Sequence, residues 1–241
     1  MLIARARPMK LQRLREQVLE ANLELVRRGL VLYTFGNASG ISRADGLVVI
    51  KPSGVPYDEL KPEHMVLTDL EGKIVEGDLR PSSDLPTHIV LYKAFANTGG
   101  VAHTHSEFAV SWAQAGRPIP CLGTTHADTF HGTVPVTADL TPGETETAYE
   151  KNTGDAIVRA FAHLNPDNIP GVLVKSHGPF TWGADPGTAA HNSAILEAVA
   201  RMAYYSTTIN PAVEPISPWL HDKHFSRKHG GASYYGQPMK K

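Results

Sequence analysis

Cysteine is nearly missing from this chain. Cys121 stands alone among 241 residues, which excludes a disulfide within the chain and suits a reducing compartment. A lone thiol is more often a small buried side chain than a nucleophile. Charge is not in surplus either: Lys and Arg number 23 against 24 Asp and Glu, a formal net charge of -1. A nucleic-acid or membrane-surface protein shows a clear basic excess, so neither partner is expected. No apolar run approaches the ~18 residues of a bilayer-crossing helix. The glycine fingerprints of the common nucleotide folds, G-x-G-x-x-G and G-x-x-x-x-G-K-[ST], are absent as well. The expectation is a soluble, cytoplasmic globular protein with enough chain to bury a real core.

Two features are in good supply. The first residues are Arg-rich with no acid before Glu16. They lack the serine content of a transit peptide and run straight into a helix pattern. Residues 1–8 therefore read as an N-terminal extension, with Met9 an alternative start. The second feature is histidine, present 12 times, so the question is which of these have spacing that chemistry needs.

Leu11, Leu14, Val18, Leu25 and Val26 recur at helical spacing, predicting an amphipathic helix over residues 10–28 that closes near Gly29. Residues 47–50 form a β-branched run that ends in the turn Lys51-Pro52-Ser53-Gly54. Residues 65–70 and 73–75, parted by Glu71-Gly72, read as a hairpin. Further helices are expected over 84–95, from a strand at 101–105 on to 115, over 144–164, and from Asp185-Pro186 through 206. Residues 124–132 read as turns, and 172–175 as an apolar strand broken by Gly178-Pro179. No repeat or linker interrupts the pattern, so residues 1–241 read as one α/β domain with a tail over 211–241.

The sharpest chemical signal is His103-Thr104-His105. Residues two apart in a strand project from the same face, so two imidazoles there can chelate one divalent ion. His177, where another strand breaks, is a third candidate, and Asp84 places a carboxylate at a helix start. Three neutral imidazoles with an oxygen ligand or an open position describe a catalytic zinc site, whereas closed structural sites favour cysteine. The same histidines also read as hydrogen-bonded core groups. A second group consists of Gly36-Asn37, Ser53-Gly54 and Ser82-Ser83, whose turn amides and hydroxyls beside a helix start can cradle a phosphate. Each piece alone is ordinary turn chemistry, and Lys51 either adds charge there or is a solvated strand-end lysine.

Seven motifs then occur in order. They are Gly36-Asn37-Ala38-Ser39, Lys51-Pro52-Ser53-Gly54, Pro81-Ser82-Ser83-Asp84, His103-Thr104-His105, Gly123-Thr124-Thr125-His126-Ala127-Asp128, Ser176-His177-Gly178-Pro179-Phe180, and Lys228-His229 through Tyr234-Tyr235-Gly236-Gln237. With this set, beyond its first eight residues, the chain resembles the L-ribulose-5-phosphate 4-epimerases of the class II aldolase and adducin-like family. The resemblance implies an α/β fold: a single three-layer domain with a central, mainly antiparallel sheet flanked by helices. It implies a zinc site made by His103, His105 and His177 with Asp84 as the acidic ligand, Mn2+ or Co2+ being able to replace Zn2+. It assigns Gly36, Asn37, Ser53, Gly54, Ser82 and Ser83 to substrate phosphate, and Asp128 and Tyr235 to acid/base work. It further implies a homotetramer with active sites between subunits, the tyrosine coming from a neighbour. The substrate would be a phosphorylated ketopentose of arabinose or ascorbate catabolism.

Read without the resemblance, Asp128 is a turn aspartate and Tyr235 a tail aromatic. His126 and His131 flank Asp128 and are expected to orient it. His224, Arg227 and His229, near Tyr235, are candidates for phosphate contact across an interface, and Glu150 for meeting the tail across a subunit boundary. His64, His88, His163 and His191 read as structural or surface groups.

The implied reaction explains the groups it needs. C4 of a 2-ketopentose phosphate is not adjacent to the carbonyl, so removing its hydrogen gives an unstabilised carbanion. Breaking C3–C4 instead yields a dihydroxyacetone enediolate and glycolaldehyde phosphate, and turning the aldehyde over before the bond re-forms inverts C4. A metal stabilises the enediolate charge, two acid/bases serve the two faces, and phosphate contacts retain the aldehyde. The alternative within the family is an aldolase of the fuculose-phosphate type, which releases the fragments. Those aldolases carry glutamate at the position of Asp84, so the shorter Asp84 and the Asp128/Tyr235 pair favour the epimerase. The adducins, cytoskeletal relatives without the metal site, are the non-enzymatic alternative.

Overall fold

The computed structural model describes residues 9–229, 233, 234 and 236. Residues 1–8 and Tyr235 lie outside them. The strands are β1 (Asn37–Ser42), β2 (Leu47–Ile50), β3 (Val66–Asp69), β4 (Ile74–Glu76), β5 (Gly100–His103), β6 (Gly171–Val174) and β7 (Gly178–Gly183). They form one sheet in the order β4-β3-β2-β1-β5-β7-β6, each neighbouring pair antiparallel. The helices are α1 (Gln12–Arg27), α2 (Leu85–Ala94), α3 (Glu107–Gln114), α4 (Thr124–Ala127), α5 (Pro142–Glu146), α6 (Tyr149–Ala160), α7 (Pro186–Ile209) and α8 (Pro218–Ser226). Helices α1 and α7 pack together on one face of the sheet, α2 and α6 on the other, giving the three layers. None of the described helices is long and apolar enough to cross a membrane.

β2 and β6, Leu-Val-Val-Ile and Gly-Val-Leu-Val, are buried along their whole length and are apolar throughout, as strands covered on both faces must be. β1 is different. Its sequence, Asn-Ala-Ser-Gly-Ile-Ser, was expected only as turn chemistry at Gly36-Asn37, yet it runs through the middle of the sheet. Its polar side chains are there because each finds a partner. Ser39 Oγ lies 2.7 Å from both His88 Nδ1 and Tyr92 Oη of α2. On the opposite face Asn22 of α1 accepts from the Ala38 amide at 2.8 Å and donates to the Ala38 carbonyl at 3.0 Å. That pair fixes the backbone beside Asn37.

Other expectations shift as well. The break at Gly178-Pro179 is the start of β7, which folds back on β6 as a hairpin. Residues 144–164 divide into α5, closed by a reciprocal Thr141–Glu144 capping box, and α6. The turn-rich 124–132 opens with α4, and the tail contains α8. β5 ends at His103, so His105 stands in the turn before α3 and not in the strand.

β5 also shows where a side chain is forbidden. A Cβ on Gly100 would sit 2.4 Å from the Asp185 carbonyl and the Pro186 nitrogen, where α7 begins against the sheet. Gly100→Ala must push α7 away or bend β5, and we expect it to cost about 1–3 kcal/mol or more, read as a lower urea midpoint at unchanged slope. A midpoint equal to the parent would mean that α7 is not held this closely.

Candidate active site

The cross-strand register builds the centre of the site. Asn37 of β1, His103 of β5 and Phe180 of β7 stand opposite one another in one row. The His103 ring stacks on Phe180 with 4.2 Å between centroids. Its Nδ1 lies 2.9 Å from the Pro179 carbonyl. A carbonyl can only accept, so Nδ1 carries a proton and Nε2 is the nitrogen left to face the cluster. His105 Nε2 is 3.1 Å from that nitrogen.

His177 arrives on the β6–β7 turn. Ser176 before it adopts a left-handed φ of 62°, a conformation that costs energy for a residue with a side chain and recurs at functional turns. Gly178 after it allows the two ligand loops to approach, since a Cβ there would lie 2.8 Å from the Thr104 carbonyl. His177 Nδ1 is 3.2 Å from Tyr149 Oη, a second contact that orients a ring. The result is that His103, His105 and His177 offer ligand atoms all within 4.8 Å of one another.

Burial, together with the neighbouring imidazoles, pushes the His177 pKa down to about 4 and lowers His105 as well. Both are therefore neutral at neutral pH. Three imidazole nitrogens brought this close suit a divalent ion of borderline softness, so the residues present fit the metal site of the class.

Asp84 stands at the same cavity but outside this tight group. Its Oδ2 accepts from Asn37 Nδ2 at 2.6 Å. Burial raises its pKa, but the nearby His103 and His88 and the Asn37 hydrogen bond outweigh that, so the carboxyl is held below its ordinary value. It supplies a fixed negative charge beside the imidazoles.

The cavity has a volume of about 380 Å³, and its wall includes every expected phosphate residue: Gly36, Asn37, Ser53, Gly54, Ser82 and Ser83. The cradle differs from the expectation in one respect. The Ser53 and Ser82 amides are already bonded to the carbonyls of Arg80 and Lys51, at 2.9 and 3.0 Å, zipping the two loops together. These two amides are spent on structure, and the serine hydroxyls are what the pair offers an anion. The N-terminus of α2, which starts directly after Ser83-Asp84, adds a partial positive charge.

Lys51 is not a solvated strand-end residue. It is 2% exposed, lines the cavity, and lies 4.7 Å from the Tyr57 ring centroid. Burial pulls its pKa down to about 8, so it remains mainly cationic at neutral pH.

Asp128 is elsewhere. It caps the C-terminus of α4 and is not among the residues lining this cavity. His224 Nδ1 lies 3.0 Å from its Oδ1. Arg227 donates to both oxygens, at 3.1 and 2.7 Å, and Lys228 Nζ is 3.2 Å from Oδ2. Partial burial works against ionisation, but the hydrogen bonds from Arg227, His224 and Lys228, with the Lys228 charge, prevail and bring its pKa down to about 2. The tail cations thus meet Asp128 within one chain, and His229 Nε2 is 2.9 Å from the Asp128 carbonyl. The expectation that His126 and His131 orient Asp128 is not met. His126 Nε2 bonds the Gly132 carbonyl at 2.7 Å, and His131 faces Asp222. Tyr235 lies outside the described residues.

Tyr149 and Glu197 escaped the sequence reading, and Glu150 was read only at a subunit boundary or on a solvated helix face. Tyr149 touches His177 and lines the cavity, and no short motif marks it. Glu150, expected at a subunit boundary, lines the cavity of its own chain. Glu197 of α7 accepts from the Phe108 and Ala109 amides, both at 2.9 Å, and so holds the start of α3 directly after the His105 turn. Its only trace in the sequence is a carboxylate next to buried Leu196 in an otherwise apolar stripe.

Buried histidines outside the three-imidazole cluster set an acid limit on the fold. Burial pulls the His88 pKa down to about 3 and the His126 pKa to about 4, against about 6.5 when unfolded. The unfolded chain therefore binds these protons first. The stability present above about pH 6.5 falls as pH drops toward the folded values. We expect the thermal midpoint to decline steeply between pH 6 and 4 at constant ionic strength. A flat profile over that window would contradict the neutral burial of these rings.

The profile of the class II aldolase and adducin N-terminal domain matches residues 16–204, and the chain belongs to that family. L-ribulose-5-phosphate 4-epimerase UlaF of Salmonella paratyphi B (strain ATCC BAA-1250 / SPB7) is 52% identical over 227 residues, 94% of this chain and 100% of the relative. The protein of the same name from Salmonella typhi shares the same identity and coverage. Among solved structures, an L-fuculose 1-phosphate aldolase superimposes with a TM-score of 0.77 at 22% identity, covering 91% of this chain and 97% of that one. L-fuculose-1-phosphate aldolase of Thermus thermophilus gives 0.65 at 24% identity over 83% and 98%. At these identities the two structures speak to the fold alone.

Proposed function

We propose that this chain is an L-ribulose-5-phosphate 4-epimerase, interconverting L-ribulose 5-phosphate and D-xylulose 5-phosphate by breaking and re-forming the C3–C4 bond. The observation that carries this reading is the convergence of three imidazoles in a cavity walled by serine and glycine loops, in a chain 52% identical to epimerases of that name. Zinc is our assignment for the metal, with Mn2+ and Co2+ also compatible with the imidazole set. When bound, the ion supplies Lewis-acid stabilisation of negative charge on the C2 and C3 oxygens.

The chain's own groups do the rest. In this reading Ser53, Ser82, Ser83 and Lys51 with the start of α2 hold the phosphate, so the aldehyde fragment stays between cleavage and recombination. Asn37 Oδ1, buried without a protein partner, is an acceptor available to a sugar hydroxyl. Asp128 and Tyr235 act as the acid/base pair: one takes the C4 hydroxyl proton at cleavage, and the other returns a proton to the opposite face of the aldehyde.

Asp128 does not line its own chain's cavity, so it and the tail serve the site of an adjoining subunit. We assign a homotetramer, the assembly that the resemblance to the epimerases implies. Support comes from Leu32, Tyr33 and Phe35 beside the cavity, apolar groups that are 63%, 91% and 54% exposed. Residues 1–241 act as one catalytic domain in this reading, located in the cytoplasm.

The test is incubation of metal-loaded protein with L-ribulose 5-phosphate, following D-xylulose 5-phosphate and glycolaldehyde phosphate together. The epimer formed without accumulating aldehyde supports the reading. Stoichiometric aldehyde would make the chain an aldolase, and absence of turnover would remove this substrate.

A further inference from the structure

Outside the catalytic cavity, a second group of metal-binding side chains has formed where the tail meets the body of the fold. His131 follows α4 on the loop after Phe130, and His221 and Asp222 are neighbours on α8. Their ligand atoms all lie within 4.8 Å of one another. We propose that His131, His221 and Asp222 form a second divalent-cation site, of the zinc, cobalt or nickel class, that fastens α8 to the body of the protein.

The distances favour an ion over a simple ion pair. His131 Nε2 and His221 Nδ1 each lie 3.3 Å from the same oxygen, Asp222 Oδ1. A charge-assisted hydrogen bond between imidazolium and carboxylate closes to about 2.7–2.9 Å. Ligands on a tetrahedral ion with arms of about 2.0–2.1 Å are instead about 3.3–3.4 Å apart. The catalytic pair His103 and His105 has similar spacing, 3.1 Å.

The side chains are also held in place. The His131 amide donates to the Asn168 carbonyl at 2.8 Å. Its ring packs edge-on against His221 at 4.5 Å and against Phe225 at 4.7 Å between centroids. His221 is 9% exposed and its Nε2 has no hydrogen-bond partner among the described residues, so Asp222 is the polar group that the ring meets there. His126 is committed to the Gly132 carbonyl. Asp222 and His131 reach solvent, leaving a side open for water as the fourth ligand.

The position gives the site a purpose. Along the same helix from Asp222, His224 and Arg227 bind Asp128. An ion shared by the loop and the helix would hold α8 against α4 and keep those cations on Asp128.

Zinc is the probe. Equilibrium dialysis of the full chain, followed by elemental analysis, compares the parent with the His131→Tyr/His221→Leu double variant and with Asp222→Asn, whose side chain is exposed and whose folding is not at risk. A His105→Ala chain reports the catalytic equivalent separately. We expect the double variant and Asp222→Asn each to lose one equivalent per chain while the equivalent lost in His105→Ala remains. Equal zinc content in the parent and in both tail variants would overturn the proposal.

Discussion

Replacing His103 by alanine is expected to remove the divalent ion from the cavity and to lower turnover about a thousandfold or more. Lewis-acid stabilisation is worth several kcal/mol, and each 1.4 kcal/mol is a factor of ten in rate. His103 is the ligand with the least freedom to be replaced. Its ring is buried, stacked on Phe180 and oriented by the Pro179 carbonyl, so neither water nor a neighbouring side chain takes over its nitrogen. Treating the parent protein with a chelator should cause the same loss, reversed by adding zinc. Metal content and the circular dichroism spectrum of the variant check the account. A folded, metal-free variant with parent-like turnover would refute a metal-dependent reaction.

Asp128→Asn is expected to reduce turnover by about 10²–10⁴-fold, the range of a positioned acid/base, with metal content unchanged. Asn keeps the size of the side chain but neither takes up a proton at working pH nor pairs with Arg227 and Lys228. The distinguishing readout is therefore metal retention combined with loss of rate. A variant that loses metal as well would mean that Asp128 acts on the ligand loops and not on substrate. Tyr235→Phe should behave in parallel, since both groups are assigned to the same proton traffic. If the proposed homotetramer shares its sites between subunits, mixing Asp128→Asn subunits with His103→Ala subunits restores part of the activity, because some sites then contain both groups.

The elements legible in the sequence were those with a clean period. The amphipathic run of α1, the apolar runs of β2 and β6 and the Pro-started α2 and α7 all stand where periodicity and capping put them. β1 was hidden because Asn37 and Ser39 look like loop residues until Asn22, His88 and Tyr92 are seen to satisfy this strand and its side chains. His103-Thr104-His105 led to the three-imidazole cluster by an incomplete argument. Strand alternation does not extend to His105, which reaches the imidazole cluster from the turn before α3. The serine and glycine loops that line the cavity were legible as types of residue, but the pairing of Ser53 and Ser82 amides with Arg80 and Lys51 depends on two distant turns meeting. Lys51 and Tyr149 carry no local signal of burial or contact, because both acquire their neighbours only when the sheet is assembled.

The central claim is that C4 is inverted by breaking its bond to C3 and not by removing its hydrogen. The most direct measurement is to run the conversion of L-ribulose 5-phosphate in deuterium oxide and examine the D-xylulose 5-phosphate by nuclear magnetic resonance. Cleavage and re-formation leave the original C4 hydrogen in place, so we predict product with no deuterium at C4 even after many turnovers. Deuterium at C4 in step with product formation would contradict the account.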